Sequence, residues 1–343
     1  MAAALALTIA LPPAAFAADA LWERYKALFL TADGRVVDYY QDQASHSEGQ
    51  GYALLLAAAN NDRQAFQSIW NWTRINLRIR HDALFVWRWG KRSNGTWDVM
   101  DYNSATDGDI LIAFGLLKGY QRWHDEEYRV EALKTVADLR TRLALNWQGK
   151  TFLLPGYFGF SNGTRVVLNP SYIVFPAYRL FSAFEDHAFW DKANKDAYYV
   201  ISKSYFGEHP LPPDWIVMNE NGSDIFREKG SLFGSEAVRV ILYLAQENTR
   251  QYEKGIEWMF DYFRRNGELP QWVDLDKNSV SINGASAGTY GSFAAAARRF
   301  GKPELAAKLA EQGRKALEGE GKQNYYSFSL YLLGTTNALE VTD

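Results

Sequence analysis

Ser47-Glu48-Gly49-Gln50-Gly51-Tyr52 opens one long apolar run of this chain, and Asn103-Ser104-Ala105-Thr106-Asp107-Gly108-Asp109 opens another. Each sets carboxylates beside glycines and small hydroxyl residues where a helix should begin. Ser47-x-x-Gln50 fits a capping box, which puts Glu48 in the first helical turn. An ordinary first-turn glutamate only complements the helix macrodipole. Here Gly49, Gly51 and Tyr52 read as backbone room for a ligand. The macrodipole lowers a carboxyl pKa, whereas a general acid at neutral pH needs it raised. Burial and a second carboxylate would have to overcome the dipole, and Asp107 is the natural neighbour. Asp107 and Asp109, two apart, do not share a helix face. Asp107 is therefore assigned to a cavity and Asp109 to structure.

Similar starts recur along the chain: Asn169-Pro170-Ser171-Tyr172, Phe233-Gly234-Ser235-Glu236, Gly284-Ala285-Ser286-Ala287-Gly288 and Asn324-Tyr325-Tyr326-Ser327. Hydrophobic periodicity predicts helices near 21–30, 48–60, 62–79, 105–122, 125–145, 171–186, 189–205, 232–247, 251–266, 286–300, 303–318 and 324–337. Brief strand-like pieces lie at 84–87, 151–154 and 280–282. The helices alternate in character. Those at 62–79, 125–145, 251–266 and 303–318 carry a charged, solvated stripe. Their partners are apolar nearly all round, as buried helices are. Six inner helices alternating with six outer ones predict an all-α fold, an (α/α)6 barrel, as a single domain over 19–343. Every inner helix would then open its N-terminus onto one end of the barrel, and starts scattered in sequence would converge in space.

Composition sets the outer limits. A net charge of -3 gives no basic footprint, so nucleic acid is not an expected partner. The chain holds 12 Trp, 20 Tyr and 20 Phe; most belong to a core, while a few would suit a carbohydrate groove, where sugar faces stack on flat rings. Residues 1–18 are small and apolar and end in Ala15-Phe16-Ala17, an A-x-A-like cleavage site without a basic n-region before it. Pro12-Pro13 break the run, which is too short to span a membrane. An export signal is expected, with a mature protein in the periplasm or outside the cell. The absence of cysteine agrees with either compartment.

Ser47–Tyr52, then Trp87-Arg88-Trp89-Gly90-Lys91, then Asn103–Asp109, together with Asn169–Tyr172 and Ala237-Val238-Arg239, resemble family 8 glycoside hydrolases over essentially the whole mature chain. Within that family the likeness is greatest to the endoglucanases associated with bacterial cellulose synthesis. The resemblance implies an inverting endo-β-1,4-glucanase acting on a β-1,4-glucan, with cellulose synthase machinery as a partner. By position, Glu48 matches the general acid and Asp107 the aspartate that binds the distorted sugar. The family's general base is commonly an aspartate just before Ala-x-Arg; here that position is Glu236. Glutamate keeps the chemistry but adds a methylene, and an inverting site needs its two carboxyls roughly 6.5–9.5 Å apart around a water. The bland alternative pairs Glu236 with Arg239 on the same helix face. Trp87, Trp89 and Tyr172 are groove candidates, and Tyr52, Arg88, Asn103 and Arg239 are further sugar-binding candidates. A chitosanase or xylanase could use the same carboxylates. A non-catalytic glycan-binding component of an export system, its base disabled by the exchange, is the other-class alternative.

Other motifs fail. Gly284–Gly288 matches a nucleophile elbow, but no histidine follows it; the last is His209. Asp274-x-Asp276-x-Asn278 begins like a calcium loop, yet Ser279 stands at the glycine position and Ala285 at the closing glutamate. No His/Cys cluster has zinc spacing, and neither a metal nor a cofactor is expected.

Overall fold

A computed structural model describes residues 13–321 and 323–341, so residues 1–12 of the expected export signal lie outside the described residues. The described chain is predominantly helical. Twelve α-helices run in chain order: α1 (Pro13–Phe29), α2 (Ser47–Ala59), α3 (Arg63–Asn76), α4 (Thr106–Trp123), α5 (Glu126–Asp138), α6 (Phe175–Phe184), α7 (His187–Ser202), α8 (Val238–Leu244), α9 (Glu253–Asn266), α10 (Ala287–Arg299), α11 (Pro303–Glu320) and α12 (Tyr325–Thr335).

Burial separates them into two kinds. In α2 every residue from Gly49 to Ala58 is buried, so no face is left for solvent. In α9 the buried side chains are Ile256, Met259, Phe260 and Phe263, a one-sided stripe at helical spacing. The even-numbered helices contact one another in sequence, α2 with α4, α4 with α6, α6 with α8, α8 with α10 and α10 with α12, and α12 packs back on α2. The outer helices α3, α5, α7 and α11 each lie against the inner helix that precedes them, and α1 lies against α12.

Helices α2 and α4 approach closely because glycines face the contact. A Cβ on Gly51 would sit 2.5 Å from the Leu111 Cβ, one on Gly115 2.7 Å from the Leu54 Cβ, and one on Gly108 2.0 Å from the Ser47 Oγ. The two helix starts, with Glu48 and Asp107, are thereby drawn together.

Short antiparallel strands brace the helix mouths. One sheet joins β1 (Ser45–His46), β2 (Arg88–Lys91) and β3 (Trp97–Asp101). The others are β4 (Ala144–Trp147) with β5 (Lys150–Leu153), β6 (Arg165–Leu168) with β7 (Ile216–Asn219) and β8 (Gly222–Ile225), and β9 (Leu232–Phe233) with β10 (Val273–Asp274) and β11 (Ser279–Val280). Strand β1 runs directly into α2, β6 into the turn at 170–172, and β9 into the turn before α8.

Several predicted boundaries differ, each for a local reason. The helix expected over 171–186 begins only at Phe175, because Asn169 caps a separate 3₁₀ turn at Pro170–Tyr172. The helix expected over 232–247 is confined to Val238–Leu244, since Leu232 and Phe233 pair with β10. The one expected over 125–145 passes through a π turn at Leu139–Leu143 into β4. The expected strand at 84–87 gives way to β2, one residue further on.

Candidate active site

The helix starts meet around one guanidinium. Arg239, in the first turn of α8, is 2% exposed and donates from Nη1 to Asp107 Oδ2 at 2.7 Å, to Glu48 Oε1, and to the Tyr52 hydroxyl at 3.3 Å. Its Nη2 lies 3.6 Å from Glu236 Oε2. The Tyr172 and Tyr326 rings take the faces of the cation, their centroids 5.4 and 5.7 Å from Cζ. Starts separated by up to 191 residues in sequence are joined by direct bonds. Three carboxylates on one buried cation leave excess negative charge in a low-dielectric setting, the circumstance that holds a proton on one of them.

Glu48 carries the largest consequence. Burial pushes its carboxyl up to about 8; the Arg239 cation opposes this, while the Asp107 and Glu236 charges add to it. The tension between dipole and acid noted in the sequence is settled by desolvation. Glu48 keeps 17% of its side chain in solvent, against 4% for Asp107, so it can meet a substrate oxygen. Asp107 turns its other oxygen, Oδ1, to the Gly108 N–H at 2.9 Å. Asp109 is fully buried and accepts from the Phe85 N–H at 2.7 Å, tying the segment before β2 to α4.

Glu236 lies beside the other terminal nitrogen of Arg239, with 36% of its side chain exposed. Oε1 accepts from the Trp215 indole N–H at 3.3 Å, and Oε2 accepts from Asn169 Nδ2. Donors thus reach both oxygens and hold the carboxyl group in place. The Asn169 amide is oriented by Ser171, whose N–H and hydroxyl both donate to Asn169 Oδ1 at 3.0 and 2.6 Å.

The structure therefore brings together Glu48, Tyr52, Asp107, Tyr172, Glu236 and Arg239. Tyr52 donates to Glu48 Oε1 at 3.2 Å. The other sequence candidates make their contacts elsewhere. Trp87 stacks on His46 at 5.6 Å, immediately before α2. Arg88 pairs with His46 across β1 and β2, its guanidinium carbon 5.8 Å from the Trp87 ring. Trp89 is packed between Trp72 and Trp97 with the Arg35 cation above it. Asn103 is bonded to the Phe158 backbone, Oδ1 accepting at 3.3 Å and Nδ2 donating at 3.0 Å.

Two readings need correction. The capping box does not form: His46 is the residue before the helix, and Gln50 instead accepts from the Val36 N–H at 2.6 Å and donates to Thr73 Oγ1 at 2.8 Å. The space beside Gly49 and Gly51 is not ligand room, because the Tyr325 ring and the Leu111 side chain occupy it. Sequence reasoning also missed Asp214, Trp215 and Tyr326. Asp214 accepts from the Gly234 and Ala237 N–H groups beside Glu236, and Tyr326 donates to the Ser235 carbonyl at 2.7 Å. The rigid Pro212-Pro213-Asp214-Trp215 stretch, an acid held beside an aromatic after two prolines, was the available signal.

A buried cation ringed by carboxylates, one protonated near neutral pH and one held by donors at the solvent edge, on a mainly helical scaffold, has the acid–base equipment of a glycoside hydrolase. The sequence model of glycosyl hydrolases family 8 matches residues 2–338, and the chain belongs to that family. An endoglucanase of Cellulomonas uda is 34% identical over 276 residues, 80% of this chain and 76% of that protein. An endoglucanase of Salmonella typhi is 30% identical over 323 residues, 91% of this chain and 85% of its own length. The solved structure of an endo-β-1,4-glucanase from Acetobacter xylinum superposes with a TM-score of 0.82 at 30% identity, covering 93% of this chain and 97% of that one.

Proposed function

We propose that this protein is an inverting endo-β-1,4-glucanase that hydrolyses cellulose-like glucan. The observation that carries the reading is the pair at the two terminal nitrogens of Arg239, Glu48 held protonated near neutral pH and Glu236 held among donors. Glu48 donates its proton to the glycosidic oxygen as the bond breaks. Glu236 removes a proton from a water attacking the anomeric carbon from the opposite face. One guanidinium contacts both carboxyls, and an inverting site needs them roughly 6.5–9.5 Å apart to leave room for that water. Asp107, fixed by Arg239, binds the sugar at the cleavage point, and Tyr52, Tyr172 and Asn169 hold the groups around it.

The scaffold of this reading is an (α/α)6 barrel in one domain, supported by the closed sequence of inner-helix contacts from α2 round to α12. Residues 1–18 act as an export signal that delivers the enzyme to the periplasm or medium; the small apolar run ending at Ala17 supports this. Among the described residues no helix is long and apolar enough to cross a membrane. Work beside cellulose synthase machinery rests on the family resemblance.

The test is loss of viscosity of carboxymethylcellulose with purified protein. Glu48→Gln should lower kcat by about 10²–10⁴-fold, the usual contribution of one acid–base group, with the melting temperature kept. A wild-type protein without effect on viscosity contradicts the enzymatic reading, and a fully active Glu236→Gln contradicts the base assignment.

A further inference from the structure

Glu236 is one methylene longer than the aspartate its position commonly carries, so something must fix where its carboxylate ends. The dipeptide Asp214-Trp215 touches it from two directions. Asp214 lies beneath the turn that carries Glu236. Its Oδ1 accepts from the Ala237 N–H at 2.7 Å and the Gly234 N–H at 3.2 Å, the residues on either side of Ser235-Glu236. Trp215, the next residue, donates its indole N–H to Glu236 Oε1.

The dipeptide is itself immobilised. The Asp214 N–H donates to the Leu232 carbonyl at 2.9 Å, and the Trp215 carbonyl accepts from the Phe226 N–H at 3.0 Å. The Trp215 indole stacks on Phe160 at 6.0 Å with only 6° between planes, and meets Tyr172 edge-on at 5.8 Å. Trp215 is 8% exposed. Gly234 completes the fit, since a Cβ there would come within 2.4 Å of Asp214 Oδ2.

We propose that Asp214 and Trp215 are positioning residues for the general base: Asp214 sets the backbone from which Glu236 projects, and Trp215 sets the end of its side chain. The inference rests on Glu236 being the base. Asp214 is half-buried, and its Oδ1 is already engaged by two backbone N–H groups. Burial and the nearby Glu236 charge push its carboxyl up to about 7, so it shares the negative charge of this corner poorly, and its role lies in accepting the two backbone N–H bonds.

A double-mutant cycle on cellopentaose hydrolysis tests the positioning role. Asp214→Ala should lower kcat ~10–100-fold with KM within about twofold, because a displaced catalytic group loses rate and not sugar contacts. Asp214→Asn, whose amide oxygen can still accept both N–H bonds, should recover most of that loss. Trp215→Phe, which keeps the ring and removes the donor, should lower kcat several-fold and gives a second readout should Asp214→Ala fold poorly. In the Glu236→Gln background both substitutions should cost nothing further, since residues acting through one group are not additive. Losses that multiply in the Glu236→Gln background, or an asparagine at 214 as impaired as alanine, would overturn the positioning role. Near-full activity of Glu236→Gln alone would instead overturn the base assignment, so the two failures are distinguishable.

Discussion

At the scale of single residues, the site turns on how Arg239 divides its bonds. Burial and the Asp107 charge push the Glu48 carboxyl up, and Arg239 only partly reverses this. In its proposed role as general acid Glu48 must be protonated, so kcat/KM should decline as pH rises through about 8. In Asp107→Asn the neighbouring negative charge is gone, the Glu48 carboxyl loses its proton more readily, and the alkaline limb should move to lower pH. A limb that stays in place or moves up would show that Asp107 does not act on Glu48 in this way. The same raised carboxyl sets a stability trend. A group whose folded pKa lies above its unfolded value favours the fold most below about pH 4.5, and that contribution is lost as pH rises through about 8. Thermal melts from pH 5 to 9 should therefore show Glu48→Gln gaining on the wild type as pH increases. Glu48 and Asp107 were legible because each is an acid at the head of an apolar run, Asp107 being told from Asp109 by helix face. Asp214 was not, because it lies outside any helix and acts on residues about twenty positions away.

Elements position these residues through packing that sequence periodicity only partly reveals. The inner helices were recognisable from runs such as Tyr52–Ala58, which leave no polar face. Their starts were harder to read. Residues 171–174 and Leu232-Phe233 look like parts of longer helices in a hydrophobicity pattern, yet the Asn169 cap of a separate 3₁₀ turn and a strand pairing with a distant segment interrupt those helices. The α2–α4 contact offers a graded test. Gly115→Ala, against the Leu54 Cβ deep in the contact, should cost about 1–3 kcal/mol of stability by overpacking while kcat is largely kept. Gly108→Ala, against Ser47 and the Glu48 backbone N–H, should lower kcat as well, because Glu48 and Asp107 are pushed apart. Chemical denaturation together with turnover measurements separates the two; equal effects on kcat would mean that helix spacing at the mouth does not govern the acid.

For the whole molecule, the alternation of apolar and charged helices carried most of the architecture in the sequence. Each buried helix needs neighbours on all sides, and each striped helix needs one apolar surface to cover. What alternation cannot specify is which side chains from different starts touch, because that depends on helix rotation and on the short strands leading into each mouth. The resulting arrangement sets Glu48 on one terminal nitrogen of Arg239 and Glu236 beside the other, and the chemical signature of the proposed roles is the stereochemistry of the product. Proton NMR of cellohexaose hydrolysis, recorded in the first minutes before mutarotation, reads this directly. The new reducing end should appear first as the α-anomer and equilibrate afterwards. A first-formed β-anomer would contradict a water held by Glu236 opposite Glu48, and with it the central claim.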